Sequence, residues 1–232
     1  MANSPSYMLF NEYAGRYEEW YHRHKLEAEN EARLVEALVG PPPRVEIGGG
    51  TGFFAARVSA LVVEPAHQMA ILAKLRGLDV VEAVAEALPL RTCSTGTALI
   101  IVTLCFLEDP VTAISEAYRI LRFGGRLVTC IVPRRSSWGM FYTDLGDKGH
   151  VFYSVARFYT VSEVERLIAD AGFRVLGVGA TLSYPPWEQG SFEEPQLGLS
   201  PDEAENYGFA CVVAEKDEPR ETRCSLGRGA SP

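Results

Sequence analysis

The residues able to do chemistry gather around one stretch, Arg44-Val45-Glu46-Ile47-Gly48-Gly49-Gly50-Thr51-Gly52-Phe53-Phe54-Ala55. A short apolar strand ends in an acid, then a glycine run, then residues able to begin a helix. Glycines at 48, 50 and 52 let the chain turn sharply and bring bare backbone against a ligand. The amide N–H groups left free at the helix start favour an anionic ligand group. The spacing G-x-G-x-G is not the G-x-G-x-x-G of a dinucleotide fold, and the Gly-Lys-Ser/Thr ending of a phosphate loop is absent. The next acid is Glu64, in Leu61-Val62-Val63-Glu64-Pro65. Elsewhere the reactive side chains stand alone. His150 titrates in the range of a general base, although a lone histidine is more often structural. Cys105 has no base beside it in sequence to make it a nucleophile. Histidines 22, 24, 67 and 150 form no H-E-x-x-H pattern and cysteines 93, 105, 130, 211 and 224 no C-x-x-C pair, so no metal is expected.

These residues need a scaffold, and apolar runs alternate with helical patterns along the chain, as an α/β fold requires. Residues 1–10 read as a loose start. Tyr13, Tyr17 and Trp20 or Tyr21 fall at helical spacing. Leu26 to Val39 reads as an amphipathic helix, with Leu34, Val35 and Leu38 on one face and Glu27, Glu29 and Glu31 elsewhere. Ala66 to Arg76 is a helix with Met69, Leu72 and Leu75 at core spacing. Thr97 to Thr103 is the continuously apolar run of a central parallel strand. Asp109-Pro110 starts a helix with Val111, Ile114, Tyr118 and Leu121 on one face. Thr160-Val161-Ser162-Glu163 is a capping box. Ligands of open parallel sheets sit at the strands' carboxyl ends, which makes Thr103, Leu104 and Cys105 candidates for the reacting centre. Residues 133–159 are too aromatic for a plain connection. They read as pocket material, through Arg134, Trp138, Tyr142 and Tyr153, or as a packed insertion. Residues 184–206 include Trp187, Glu188, Glu193 and Glu194, a solvated acidic loop in preference to a site for a cation. Residues 217–232 read as a flexible tail.

A chain of 232 residues with 47% hydrophobic and 22% charged residues suits one α/β domain. A net charge of −8 argues against a dedicated nucleic-acid binder. No run approaches the ~20 apolar residues of a membrane span, and the first ten residues lack a signal-peptide layout. Scattered cysteines, odd in number, suit free thiols and a cytoplasmic location.

From Asn11 to Lys216 the chain resembles the class I S-adenosylmethionine-dependent methyltransferases, in particular the broad type 11 group that includes ubiquinone- and menaquinone-biosynthesis enzymes. Glu46, Gly48, Gly50 and Gly52 match the E/D-x-G-x-G-x-G motif, and Glu64 matches the acid that grips both ribose hydroxyls. Ala14, Tyr17, Glu18 and Trp20 are similar to the A-x-x-Y-D-x-W segment that covers the cofactor, so 11–24 is either a lid or a plain core helix. Ala85-Glu86-Ala87-Leu88-Pro89-Leu90 resembles the G-D-A-E-x-L-P-F segment, with Val84 where an acid would meet adenine. That leaves the contact to Glu86, to backbone near Ala85 and Glu86, or lost. Arg119 to Leu127 resembles the R-x-L-K-P-G-G-x-L turn. The resemblance implies one domain over 11–216 with a three-layer Rossmann-like fold and a seven-stranded sheet of order 3-2-1-4-5-7-6, strand 7 antiparallel. It implies S-adenosylmethionine bound by Glu46, Gly48, Gly49, Gly50, Gly52, Glu64, Pro65, Ala85, Glu86, Thr103, Leu104 and Tyr17. The acceptor would be a small molecule near Tyr13, Trp20, Arg134, Trp138, Tyr142 and Tyr153. A non-catalytic binder of the same cofactor and a nicotinamide-dependent oxidoreductase are the competing readings.

Overall fold

The apolar run becomes β4 (Thr95–Ile101), buried along its whole length in a computed structural model that describes residues 5–217. β1 (Arg44–Ile47) and β5 (Leu121–Ile131) flank it in parallel. β2 (Leu61–Val63) and β3 (Val80–Val81) extend the sheet beyond β1, also in parallel. On the other side β8 (Phe209–Glu215) runs antiparallel between β5 and β6 (Arg174–Thr181).

The order is β3-β2-β1-β4-β5-β8-β6-β7, so the expected arrangement is present, with β8 in the role of strand seven. One strand is additional. β7 (Gln196–Leu199) pairs antiparallel with β6 at the sheet edge, inside the segment read as loop. Four mostly exposed residues around a glycine carry no periodic pattern; only the free edge of β6 makes them a strand.

Alternation along β4 divides the core. Ala98 and Ile100 pack with Ile114 and Ile120 of α6 (Pro110–Ile120) and Val164 and Ile168 of α8 (Val161–Asp170). Leu99 and Ile101 pack with Leu34 and Val35 of α3 (Lys25–Leu38) and Phe54 of α4 (Phe53–Val58). This is the three-layer arrangement of a sheet covered on both faces. The Thr160–Glu163 capping box is formed.

Several local expectations are corrected. Residues 6–10 are helical: α1 (Ser6–Glu12) precedes α2 (Ala14–Arg23). In α5 (His67–Leu75) the buried positions are Met69, Ala70 and Ala73, and Leu75, two residues beyond Ala73, turns outward at 78% exposure. Val111 is likewise exposed, outside the inward set Ala113, Ile114, Ala117 and Ile120. Cys130 and Cys211 are not free thiols. Antiparallel pairing of β5 with β8 sets them directly opposite, 81 residues apart in sequence, and they form a disulfide. Apart from Asp217, which accepts from Arg174, the expected tail lies outside the described residues.

Candidate active site

β1 ends in a loop where Gly48, Gly50 and Gly52 all adopt left-handed backbone, φ 68°, 56° and 80°. At Gly48 a side chain would lie 2.2 Å from Thr103 Cγ2, and Thr103 Oγ1 donates to the Gly48 carbonyl at 2.9 Å. The loop therefore touches the end of β4 backbone to side chain, which only glycine permits. At Gly50 a side chain would meet nothing closer than Tyr17 Cε1 at 3.9 Å; the bare backbone there faces open space. Glu64, just after β2, lies 5% exposed. Its Oε2 accepts the Gly50 N–H (2.9 Å) and its Oε1 the Ala66 N–H (2.8 Å). Burial nevertheless pushes its carboxyl up to about 7. Glu46 is buried more deeply and pushed to about 8, with Oε2 unpartnered.

The loop after β3 is fastened by α6. Glu116 accepts the Leu88 N–H (2.8 Å), and Arg119 donates to the Leu88 and Leu90 carbonyls (2.9 and 2.8 Å). That holds Val84, Ala85 and Glu86 beside the glycine loop. With Gly48, Gly50, Glu64, Pro65, Thr103 and Tyr17 they line a cleft of about 350 Å³. Four residues expected at the cofactor stand behind the wall instead. Glu46, Gly49 and Gly52 shape the loop, and Leu104 is fully buried beneath it. Conversely, Pro5, Ser6, Tyr7 and Phe10 line the cleft from the segment read as loose. Ser6 Oγ donates to the Phe106 carbonyl (2.5 Å) and the Asn11 side chain accepts the Gln68 N–H (2.9 Å), so α1 is tied down across the strand ends. The absence of a hydrophobic periodicity in a seven-residue helix hid this.

A second cavity of about 360 Å³ adjoins the first, and Tyr17, Val102 and Phe106 line both. Val102 has φ 50°, a strained conformation for a β-branched residue. It takes the chain off β4 between the two spaces. Ring faces dominate the second cavity. Trp20, Tyr21, Trp138, Tyr142, Tyr153 and Phe158 come from α2, α7 (Ser137–Asp147) and the segment after it. Tyr142 and Tyr153 stack at 4.2 Å between centroids, and Trp138 Nε1 donates to the Tyr184 carbonyl at 2.7 Å. Four of the residues proposed for the acceptor are thus brought together: Trp20, Trp138, Tyr142 and Tyr153. Two are not. Arg134 is engaged with Glu163 (2.9 Å) and the Phe158 carbonyl, and Tyr13 stands edge-on to Phe152, outside both cavities. Glu193 and Glu194 do not reach a ligand space either. Glu193 accepts from the Leu182 and Ser183 amides, and Glu194 pairs with Arg33 at 2.6 Å, while Trp187 is exposed.

His150 lines the aromatic cavity, stacked on Tyr153 at 4.5 Å. Burial pushes it below the usual imidazole range, and Nδ1 has no partner. Cys105 lines the same space but burial pushes its thiol up to about 12, so it is not a thiolate nucleophile. Sequence reasoning missed Glu31, a buried carboxylate in the cavity wall. It lies three and four residues before Leu34 and Val35, on the face that a 3.6-residue period turns inward.

A methyltransferase-domain family model matches residues 45–129, from β1 into β5. An uncharacterised protein of Mycobacterium tuberculosis is 38% identical over 178 residues, 75% of this chain and 62% of its own length; the chain spans less than two thirds of that relative. A Thermotoga maritima structure, described as a S-adenosylmethionine-dependent methyltransferase and possible histamine N-methyltransferase, is 36% identical with TM-score 0.85, over 91% of this chain and 100% of that one. A Streptomyces coelicolor geranyl diphosphate C-methyltransferase shares the fold at 15% identity and TM-score 0.59, over 83% of this chain and 80% of that one. The chain belongs to the S-adenosylmethionine-dependent methyltransferases, and S-adenosylmethionine is its cofactor. The cleft fits such a group: bare backbone at Gly48 and Gly50 and a buried acid, Glu64, all face it. Among the described residues no helix is long and apolar enough to cross a membrane, and no group of three or more His, Cys, Asp or Glu is placed to hold a metal ion.

Proposed function

We propose that the protein methylates a small organic acceptor held in the aromatic cavity, by direct in-line displacement at the methyl carbon. The observation that carries this is the junction: one strained residue, Val102, with Tyr17 and Phe106, borders both spaces. When bound, the cofactor supplies an electrophilic methyl group on sulfur. The acceptor would have to present a lone pair in line with that methyl group, and the residues of the junction would hold it there. The protein's task is placement and exclusion of water, and placement alone lowers such barriers by ~7–11 kcal/mol. Glu64 would hold the ribose hydroxyls, Gly48 and Gly50 would admit the cofactor against backbone, and Ala85 and Glu86 would take the adenine edge that Val84 leaves without an acid. α1 and α2 would cover the cleft through Tyr7, Phe10 and Tyr17. His150, held neutral, is available to accept a proton where the acceptor must lose one.

The test is calorimetric titration with S-adenosylmethionine, S-adenosylhomocysteine and NAD on wild type and Glu64→Ala. Binding of the first two, weakened about 10- to 100-fold by the substitution, with no response to NAD, is the expected result. NAD binding in their place would revive the oxidoreductase reading. Cofactor binding without turnover across acceptor classes would favour a non-catalytic binder.

A further inference from the structure

Glu31 is 6% exposed, lines the aromatic cavity, and has no hydrogen bond or ion pair among the described residues. An ionised carboxylate in such a place is costly unless something of opposite charge meets it. No cation among the described residues does. Arg16 and Arg23 stand exposed at the rim, Arg23 paired with Glu19. The charge that acts on Glu31 is that of Glu27, of its own sign and also in the cavity wall. Tyrosine hydroxyls are nearby, but Tyr17 is paired with Tyr21 and Tyr142 with Tyr153. The remaining surface is ring face, from Trp20, Tyr21, Trp138, Tyr142, Tyr153 and Phe158. Ring faces attract cations, most strongly where water is excluded. The cavity thus has on one wall a carboxyl that no protein group matches, able to ionise only against an incoming cation, and ring quadrupoles that favour the same charge on the others.

We propose that the aromatic cavity is a site for a small organic cation, an amine carried as its ammonium ion, with the Glu31 carboxylate as counter-charge and the surrounding rings as its enclosure. This rests on the reading that the cavity holds the methyl acceptor, and it names that acceptor's class. The ammonium ion is the form bound. Where its nitrogen is the atom methylated, that nitrogen would first give a proton to His150, which lines the same cavity with Nδ1 unpartnered. Glu31 is then a specificity-determining residue, which selects the amine over a neutral molecule of equal shape. Without ligand, burial holds the Glu31 carboxyl at about 8, with Glu27 adding to the effect. The other titratable groups on the cavity are Tyr17, Tyr21, Tyr142 and Tyr153, all pushed above the usual phenol range and so uncharged, Cys105, whose thiol burial pushes up to about 12, and His24, Arg16, Arg23 and His150, the last held below the usual imidazole range. At pH 7 the empty site therefore carries a proton on Glu31, which an arriving ammonium ion expels.

The experiment titrates phenethylamine and its neutral counterpart 2-phenylethanol into the protein, with and without S-adenosylhomocysteine, in two pH 7 buffers of different ionisation enthalpy. Wild type should bind the amine at least ~10-fold more tightly than the alcohol, with release of about one proton. Glu31→Gln should lose both the preference and the proton release while binding S-adenosylhomocysteine as before. Glu27→Gln should keep the preference within ~3-fold. Equal wild-type affinity for amine and alcohol, absence of amine binding, or a preference that survives in Glu31→Gln would overturn the proposal. Should Glu31→Gln fail to fold, proton release and amine preference in wild type decide it. Amine binding without S-adenosylhomocysteine binding would leave the cation site standing and refute the cofactor cleft; the reverse result would do the opposite.

Discussion

The two cavities are built from different material. The first cleft is organised by backbone: a loop of three glycines in left-handed conformation, two of which line it, a strand-end acid bonded to main-chain amides, and a loop fastened to α6 through its carbonyls, with side chains of α1 and α2 at its margin. The aromatic cavity is made of side chains from α2, α3, α7 and the residues around 150–158. Backbone recognition constrains a short contiguous stretch, so one cofactor can be read by one loop. Side-chain recognition draws on remote segments, any of which can change the acceptor while the cleft stays as it is.

Substitutions that separate the two regions test this contrast. The largest effect is expected at Gly48. A side chain there meets Thr103 at 2.2 Å in left-handed backbone, so Gly48→Ala should cost ~2–5 kcal/mol. A thermal melt would show a drop of roughly 5–15 °C, with loss of S-adenosylhomocysteine binding by calorimetry. A smaller fall confined to the aromatic cavity would reverse the contrast. Next is Trp138→Phe, which removes the donor to the Tyr184 carbonyl. It should cost ~1–3 kcal/mol in denaturant unfolding and leave cofactor affinity within about twofold.

A pH profile of stability joins the two regions. Burial raises the carboxyls of Glu31, Glu46 and Glu64 to about 8, 8 and 7. Between the unfolded carboxylate range and those values the folded state binds more protons than the unfolded, so stability falls as pH rises through that window. Melts of the ligand-free protein from pH 5 to 8 should show this decline, and Glu31→Gln should flatten part of it. A wild-type profile rising over the same window would contradict the three assignments. The smallest effect is expected for Arg134→Ala. Its exposed ion pair with Glu163 should contribute no more than ~1 kcal/mol, and neither cofactor nor amine affinity should move.

The glycine loop, Glu64, the capping box of α8 and the buried β4 were legible because each is set by neighbours within a few residues: a positive φ, a helix end, a two-sided apolar run. Glu31 was also within reach, since Leu34 and Val35 define its helix face, but an acid counted as a surface residue concealed it. Arg134 was misjudged for the converse reason. Its place among aromatic residues suggested a pocket, whereas Arg134 sits in the turn before α7 and its partner Glu163 lies on α8. Trp138, Tyr142 and Tyr153 were legible as a composition, not as a geometry.

The sequence by itself determined a mostly parallel α/β sheet with a glycine loop at the end of its first strand, because local backbone requirements and hydrophobic alternation suffice for that. Tertiary structure alone decided the pairing of Cys130 with Cys211, the eighth strand at the edge of β6, and the enclosure of an unpartnered Glu31 by rings from α2, α7 and the segment after it. Those depend on contacts between residues far apart in the chain, and packing, not local propensity, sets which of them meet.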